Sequence, residues 1–311
     1  MNLLHSQNQL NERRRQKEKD MTEEEEILKE DGVEMPLTEV PEMMPEEEAP
    51  GFIYAIGSIQ PRFPTLSVEK EFAQAAPEGK AANLTDPQVL YEILSQEENR
   101  YLAREVCWVF TVESIDTYIL QPRQYRELTQ LVEAIKPAKG IDVDVVIGIR
   151  GPTAPPEMCN GLQVPIVTCN RIYSFDIEEF INVIPKPKEM EEEPFKEAAR
   201  ELFFRIMQLT DNVGAADEQR ALNYVAVRYS AVYAHAMEMF VSDKFLSSVE
   251  VRPSRLSGTR RIVDVIFSYI NSKTNVIEKY FTRVDVTGQW PFLVSKLQPF
   301  YERKTLERKE G

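Results

Sequence analysis

Residues Val143 to Asp176 constrain the fold more than any other stretch of the chain. A near-continuous apolar run, Val143, Val145, Val146, Ile147 and Ile149, lies between Asp142 and Arg150. A short β-branched run of this kind reads as a strand buried on both faces. Gly151-Pro152, Pro155-Pro156 and Asn160-Gly161 follow, and they read as a stiff loop outside regular structure. A second apolar run, Val164 to Cys169, leads to Asp176, with Glu179 three residues on, which is the spacing of a capping box. Two core strands that hold a proline-rich loop between them make that loop the first place to look for a site.

The chain around this stretch changes character twice. Residues 1–50 carry more than half of the net charge of −14 and include Glu23 to Glu26, Glu46 to Glu48 and four prolines. Such a segment buries too little apolar surface to offset its ordering entropy, so it is expected to be a disordered acidic tail. From Gly51 the pattern is that of a folded domain. A first strand at Phe52–Ile56 is interrupted by Pro61 and Pro64, and a short helix starts at Ser67. Asp86-Pro87 opens a helix whose apolar stripe runs to Val106. Cys107–Val112 and Tyr118–Leu120 read as strands joined by a hairpin, and Tyr125–Ile135 as a helix stopped by Pro137. Charged, proline-bearing Lys186–Pro194 marks an internal boundary between a part at 51–189 and a part at 190–303. The second part opens with the stripe Phe195, Ala199, Leu202, Phe203 and Ile206, followed by a long helix capped by Asp217. Val249–Arg252, Arg261–Ile270 and Val276–Val286 then form an antiparallel meander, with Trp290 and Phe292 packing beneath it. Residues 304–311 read as a frayed tail. The fold class is α+β: mixed in the first half, helical and then antiparallel β in the second.

Outside the tail the charge is only mildly negative, which argues against nucleic acid as the main partner. There is no run of about eighteen apolar residues, and Met1–Arg15 lacks the apolar core of a signal peptide. Three widely spaced cysteines imply a reducing compartment, not a disulfide framework, and the chain is assigned to the cytoplasm.

Chemistry-bearing residues are few. His235 is the only histidine outside the tail, and its small apolar neighbours mark it as a core or helix-surface residue, so a histidine-based triad is disfavoured. No C-x-x-C, H-E-x-x-H, P-loop or G-x-G-x-x-G is present, and no metal or cofactor is expected. Cys169 reads as a small core residue, and Cys159, beside Asn160-Gly161, as a more exposed thiol. Arg150, Glu157, Cys159, Asn160 and Arg171 remain as a binding group on or beside the rigid loop, suited to a peptide backbone or a carboxylate. The competing reading is that they tie down a loop too long to satisfy its own backbone.

Several stretches carry a resemblance. They are Tyr54-Ala55-Ile56-Gly57, Val68 to Ala75, Glu98 to Arg104, Gly151-Pro152 with Pro155 to Gly161, and Gly258 to Ile266. Together they resemble the C-terminal region of the cyanobactin maturation proteases of the PatA/PatG type, over roughly residues 51 to 303. In that family the region follows a subtilisin-like protease domain and is a domain of unknown function. The resemblance therefore implies a setting, the biosynthesis of ribosomally made, modified peptides, and no catalytic residue. The expected role is a non-enzymatic accessory or scaffold domain. Its partners would be a precursor peptide, a separate maturation protease or a second copy of itself. An unrecognised enzyme or metal-binding protein using the central loop is the alternative.

The tail generates the first prediction. Limited proteolysis should cut within residues 1–50 and leave a resistant fragment beginning near Gly51, as read by mass spectrometry. Strong amide-exchange protection between Asp20 and Pro50 would contradict it.

Overall fold

The structure, a computed structural model, describes residues 51–301 apart from 81, 85, 138–141, 187–189 and 209–210. The acidic segment 1–50 and the charged residues from 302 onward lie outside the described residues. Everything described belongs to one compact unit.

Five strands close a barrel: β1 (Gly51–Arg62), β2 (Cys107–Val112), β3 (Ile115–Pro122), β4 (Asp142–Thr153) and β5 (Pro165–Asp176), in the order β1-β2-β3-β5-β4. All neighbours are antiparallel except β3 and β5. That order, with its one parallel pair, is the topology of an OB-type Greek-key barrel. β1 makes closure possible by changing partner: residues 51–57 pair with β4, and residues 58–62 with β2. The switch falls at Gly57, where a Cβ would stand 2.1 Å from the Thr111 carbonyl oxygen. Only glycine permits that approach. Glu113 and Ser114, with φ of 49° and 66°, make the two-residue turn between β2 and β3.

The barrel strands run longer than the sequence suggested. Pro61 sits inside β1, opposite Trp108, and does not end it. Gly151, Pro152 and Thr153 continue β4, across a register shift between Arg150 and Thr153. A proline is tolerated at such an irregularity because no ladder bond is lost there.

The helices follow their caps. Thr65, not Ser67, caps α1 (Leu66–Ala75), its hydroxyl accepting from Val68 N–H. Asp86 caps α2 (Pro87–Leu94) as expected, but the stripe to Val106 is broken by a 3-10 turn before the short α3 (Leu102–Glu105). After α4 (Tyr125–Ala134), Asp176 accepts from Glu178 and Glu179 N–H to open α5 (Ile177–Asn182). α6 (Glu192–Gln208) buries the predicted stripe. The single long helix expected from Asp217 is instead two, α7 (Asp217–Arg228) and α8 (Ala231–Val241). At the break, Tyr229 turns out of the helix and its hydroxyl accepts from Leu297 N–H at 2.9 Å.

The meander has four strands, not three: β6 (Lys244–Pro253), β7 (Ile262–Asn271), β8 (Ile277–Asp285) and β9 (Phe292–Pro299), all antiparallel in sequence order. Trp290 and Phe292 are about half exposed and do not pack beneath it.

Alternation along the barrel strands sorts side chains into two cores. Ile53, Ala55, Trp108, Phe110, Tyr118, Leu120 and Val146 fill the barrel and meet α1 to α4. Tyr54, Ile56, Val145 and Ile147 point the other way, into a cluster shared with Phe203, Val225, Tyr233, Phe267 and Val284. Barrel, helices and second sheet therefore hold one continuous hydrophobic mass on that side.

Among the buried carboxylates, one lies within a barrel strand. Asp144, on β4, accepts from Ile59 N–H at 2.7 Å and from the Ser174 hydroxyl. Burial outweighs these bonds and pushes its pKa up to about 6. The folded state thus favours the protonated form. The stabilisation is present in full below the unfolded-state value and is lost as pH rises through about 6, on the order of 2–3 kcal/mol for a shift of this size. Asp144→Asn keeps an acceptor for Ile59 and removes the titration. Denaturant unfolding from pH 4 to pH 7 should show a decline in stability in the parent chain that the variant lacks; equal slopes would contradict the assignment.

Candidate functional site

A cavity of about 490 Å³ opens where the start of β2 and the end of β3 lie side by side. Each wall is a junction between elements. The α3–β2 junction contributes Ala103, Arg104 and Val106, and the β3–α4 junction contributes Arg123, Gln124 and Tyr125. Trp108, Leu120 and Leu128 give an apolar base. The third wall is Met158 and Cys159, from the loop between β4 and β5.

Local bonds fix these walls. Trp108 Nε1–H donates to Ala103 O at 2.8 Å, which folds α3 back against β2. Glu127 accepts from Gln124 N–H at 2.7 Å and starts α4. Arg100 donates to the Tyr125 hydroxyl at 2.8 Å and to Thr129 Oγ1 at 3.1 Å, holding the Tyr125 ring, 54% exposed, at the rim. Two arginines line the cavity and no carboxylate does. Both are exposed, and among the described residues neither Arg104 nor Arg123 has a hydrogen-bond or ion-pair partner for its side chain. An apolar base under two free guanidinium groups suits an anionic ligand with an apolar part.

The loop that forms the third wall is the proline-rich loop singled out in the sequence. It lies across the outer face of β2 and β3, where Met158, Leu162, Val164 and Ile166 cover Val109 and Ile119. Cys159 is bonded to Cys107, at the start of β2, with Cα atoms 5.6 Å apart. This corrects the reading of the cysteines: Cys159 is buried and disulfide-bonded, not an exposed thiol, and the chain does carry a disulfide. The 52-residue separation hides the pair, because only barrel closure brings β2 beneath the β4–β5 loop. Cys169 is the free, buried core cysteine expected, and burial pushes its thiol up to about 12.

Of the five residues grouped from sequence, only Cys159 lines the cavity. Arg150, Glu157, Asn160 and Arg171 are exposed along β4, the loop and β5, and make no side-chain hydrogen bond or ion pair with one another. Arg150 and Arg171 face no common partner: Arg150 pairs with Val167 in register, and Arg171 with Ile147. The residues missed were Arg104, Arg123 and Tyr125. They lie at element ends, and no linear spacing links them; only the adjacency of two strand ends could have found them. His235 is a half-buried helix residue as expected, its ring 4.2 Å from that of Tyr280 and edge-on to Tyr269, with burial lowering its pKa. Among the described residues no group of three or more His, Cys, Asp or Glu is placed to hold a metal ion, and no helix is long and apolar enough to cross a membrane.

The fold is that of an OB-type barrel joined through a helical layer to an antiparallel sheet. The chain belongs to the PatG Domain family, whose model matches residues 52–242, more than half of its length. A second model, PatG C-terminal, matches residues 189–300. A solved structure described as PatG Domain of Unknown Function shares the fold, with a TM-score of 0.68 and 18% identity over 81% of this chain and 99% of that one. No curated protein matches the chain significantly.

Arg150 is exposed, so the loop-tying role makes a sharp claim about stability. With no buried group to orphan, Arg150→Ala should change stability by no more than about 0.5 kcal/mol. A thermal melt that fell by the equivalent of about 2–4 kcal/mol would restore the loop-tying role.

Proposed function

We propose that this chain is a non-catalytic recognition module in the biosynthesis of ribosomally made, modified peptides of the cyanobactin type, and that it holds an acidic segment of a precursor peptide in the cavity between α3, α4 and the β4–β5 loop. The observation that carries this reading is the lining: Arg104 and Arg123, with no carboxylate among the lining residues, above Trp108, Leu120 and Met158. Carboxylates would meet the guanidinium groups while an aliphatic side chain enters the apolar base. The resemblance to the maturation proteases supplies the pathway.

The site also argues against single-stranded nucleic acid, the ligand of many OB-type barrels. Such binding stacks bases on aromatic side chains of the outer barrel face. Here Trp108, Phe110 and Tyr118 point into the barrel, and the outer faces of β2 and β3 carry Cys107, Val109 and Ile119 beneath the loop.

A fluorescent peptide with leucine and methionine between glutamates, and its twin with glutamine at each glutamate, test the proposal on the full chain. The acidic peptide should bind about tenfold or more tightly than its twin. The pair Arg104→Ala and Arg123→Ala should abolish that preference without lowering the melting temperature, and the peptide should be recovered intact by mass spectrometry. Equal binding of the twins, or tighter binding of a single-stranded oligonucleotide, would overturn the ligand class; a cleaved or cyclised peptide would overturn the non-catalytic role.

A further inference from the structure

We infer that the Cys107–Cys159 bond is a thiol-reactive site that opens into the cavity, and that its reduction by a peptide thiol releases the wall formed by the β4–β5 loop. This concerns the cavity of the peptide reading, and rests on that reading only for its consequence for binding.

Three observations carry it. Both cysteines are among the residues that line the cavity, so the cavity gives a small thiol a route to the bonded pair. The two are 8% and 9% exposed, whereas Cys169 is sealed at 0%. Arg104 and Arg123 share the lining, and positive charge beside a disulfide stabilises both the attacking thiolate and the thiolate that leaves.

What the bond holds is also visible. Cys159, Asn160 and Gly161 are consecutive residues with φ of 50°, 56° and 86°. Two of the three are not glycine, and a left-handed backbone there persists only when its surroundings impose it. The contacts there are the disulfide, the packing of Met158 and Leu162 on Val109 and Ile119, and the turn bonds from Gly161 N–H to Met158 O and from Leu162 N–H to Cys159 O. Cutting the bond removes the covalent half of that restraint.

The chemistry balances without a cofactor. A thiolate attacks one sulfur of the pair and forms a mixed disulfide; the S–S bond breaks, and the other cysteine leaves as a thiolate that takes up a proton. A second thiol attacks the mixed disulfide and frees the remaining cysteine. Two thiols become one disulfide, and the protein disulfide becomes two thiols. Glutathione is a suitable probe, since it is a peptide thiol with two carboxylates for the two arginines.

The test uses the full chain in native buffer. Reduced glutathione is added, free thiols are alkylated over time, and Cys107 and Cys159 are read by mass spectrometry. Amide exchange of residues 154–164 is followed in parallel. Both cysteines should be blocked to alkylation before reduction. Glutathione should open the bond without denaturant, and the Arg104→Ala and Arg123→Ala pair should slow that step by about tenfold. Exchange in the loop should rise on reduction while β1, β4 and β7 stay protected. Cys107→Ser with Cys159→Ser should show the same fast loop exchange with no reductant. If that variant does not fold, the reduced parent chain supplies the measurement. Free thiols in the untreated chain, a bond that opens only when the core unfolds, or loop exchange unchanged by reduction would each overturn the inference. None of these readouts uses the acidic peptide, so failure of the peptide titration leaves them standing, and their failure leaves the titration standing.

Discussion

Two side chains of α7 hold the architecture together, and the rest of the domain depends on them. Asn223, fully buried, donates through Nδ2 to the carbonyls of Tyr54 at 2.8 Å and Asn212 at 3.2 Å. Along residues 51–57, β1 is bonded to β4 on one edge only; its other edge would expose unpaired backbone inside the fold. Gly214 O and Asn212 O accept there from Tyr54 and Ile56 N–H at 2.9 and 3.0 Å, and Asn223 completes the edge. One turn earlier, Arg220 is 1% exposed and stacks over Phe52 of β1. It donates to Val286 O at 2.8 Å and to Gly288 O, just beyond β8, and pairs with Asp217 at 3.1 Å. Replacing either side chain with an apolar one would leave buried carbonyls unpaired, a loss that costs more than the bonds are worth. α7 thus welds barrel to sheet through polar atoms, while Leu222, Val225 and Ala226 do so through packing.

That weld explains why the cavity lies where it does. The outer faces of β1 and β4 are taken up by the helical layer. The outer faces of β2 and β3 are taken up by the chain's own β4–β5 loop, which an OB-type barrel ordinarily uses beside its ligand. What stays open is the end of the β2–β3 pair, walled by two strand-to-helix junctions. Junctions also concentrate exposed polar side chains, and here both contribute an arginine in a chain whose net charge is −14. On the proposed reading, an acidic chain that gathers two arginines at one recess would suit a carboxylate presented on an apolar segment better than a polyanion.

Much of the architecture was legible because it rests on local chemistry. The caps at Asp86 and Asp176, the stripe on α6 and the shared face of Val263, Val265, Phe267 and Tyr269 on β7 follow from side-chain geometry within one element, and each is found in the structure, although β7 is buried on both faces. The errors came where tertiary pairing overrode a local signal. Pro61 lies within a strand because residues 58–62 pair with β2 alone and leave the other edge of β1 free of a ladder, and α7 and α8 are separate because Tyr229 is drawn toward Leu297. The site was legible only in part. The loop was located from its prolines, but the residues that line the cavity with it lie about 30 and more positions before Met158 in sequence. The disulfide was invisible for the same reason: its partners are brought together by barrel closure and by nothing in their spacing.

The position of the loop also limits what the barrel's sequence can vary. Val109 and Ile119 are nearly inaccessible only because Met158, Leu162 and Ile166 cover them. A polar residue at either position would face apolar side chains without a partner, at a cost of about 1–3 kcal/mol. An aromatic stacking platform on this face would in turn displace the loop, and with it Met158 and Cys159 from the cavity. An uncovered stacking face and the walled cavity are therefore alternatives, decided by one loop. A barrel that keeps the cavity gives up the broad outer surface on which bases would stack, and what remains open at this end is a recess lined by Arg104 and Arg123 above Trp108 and Leu120.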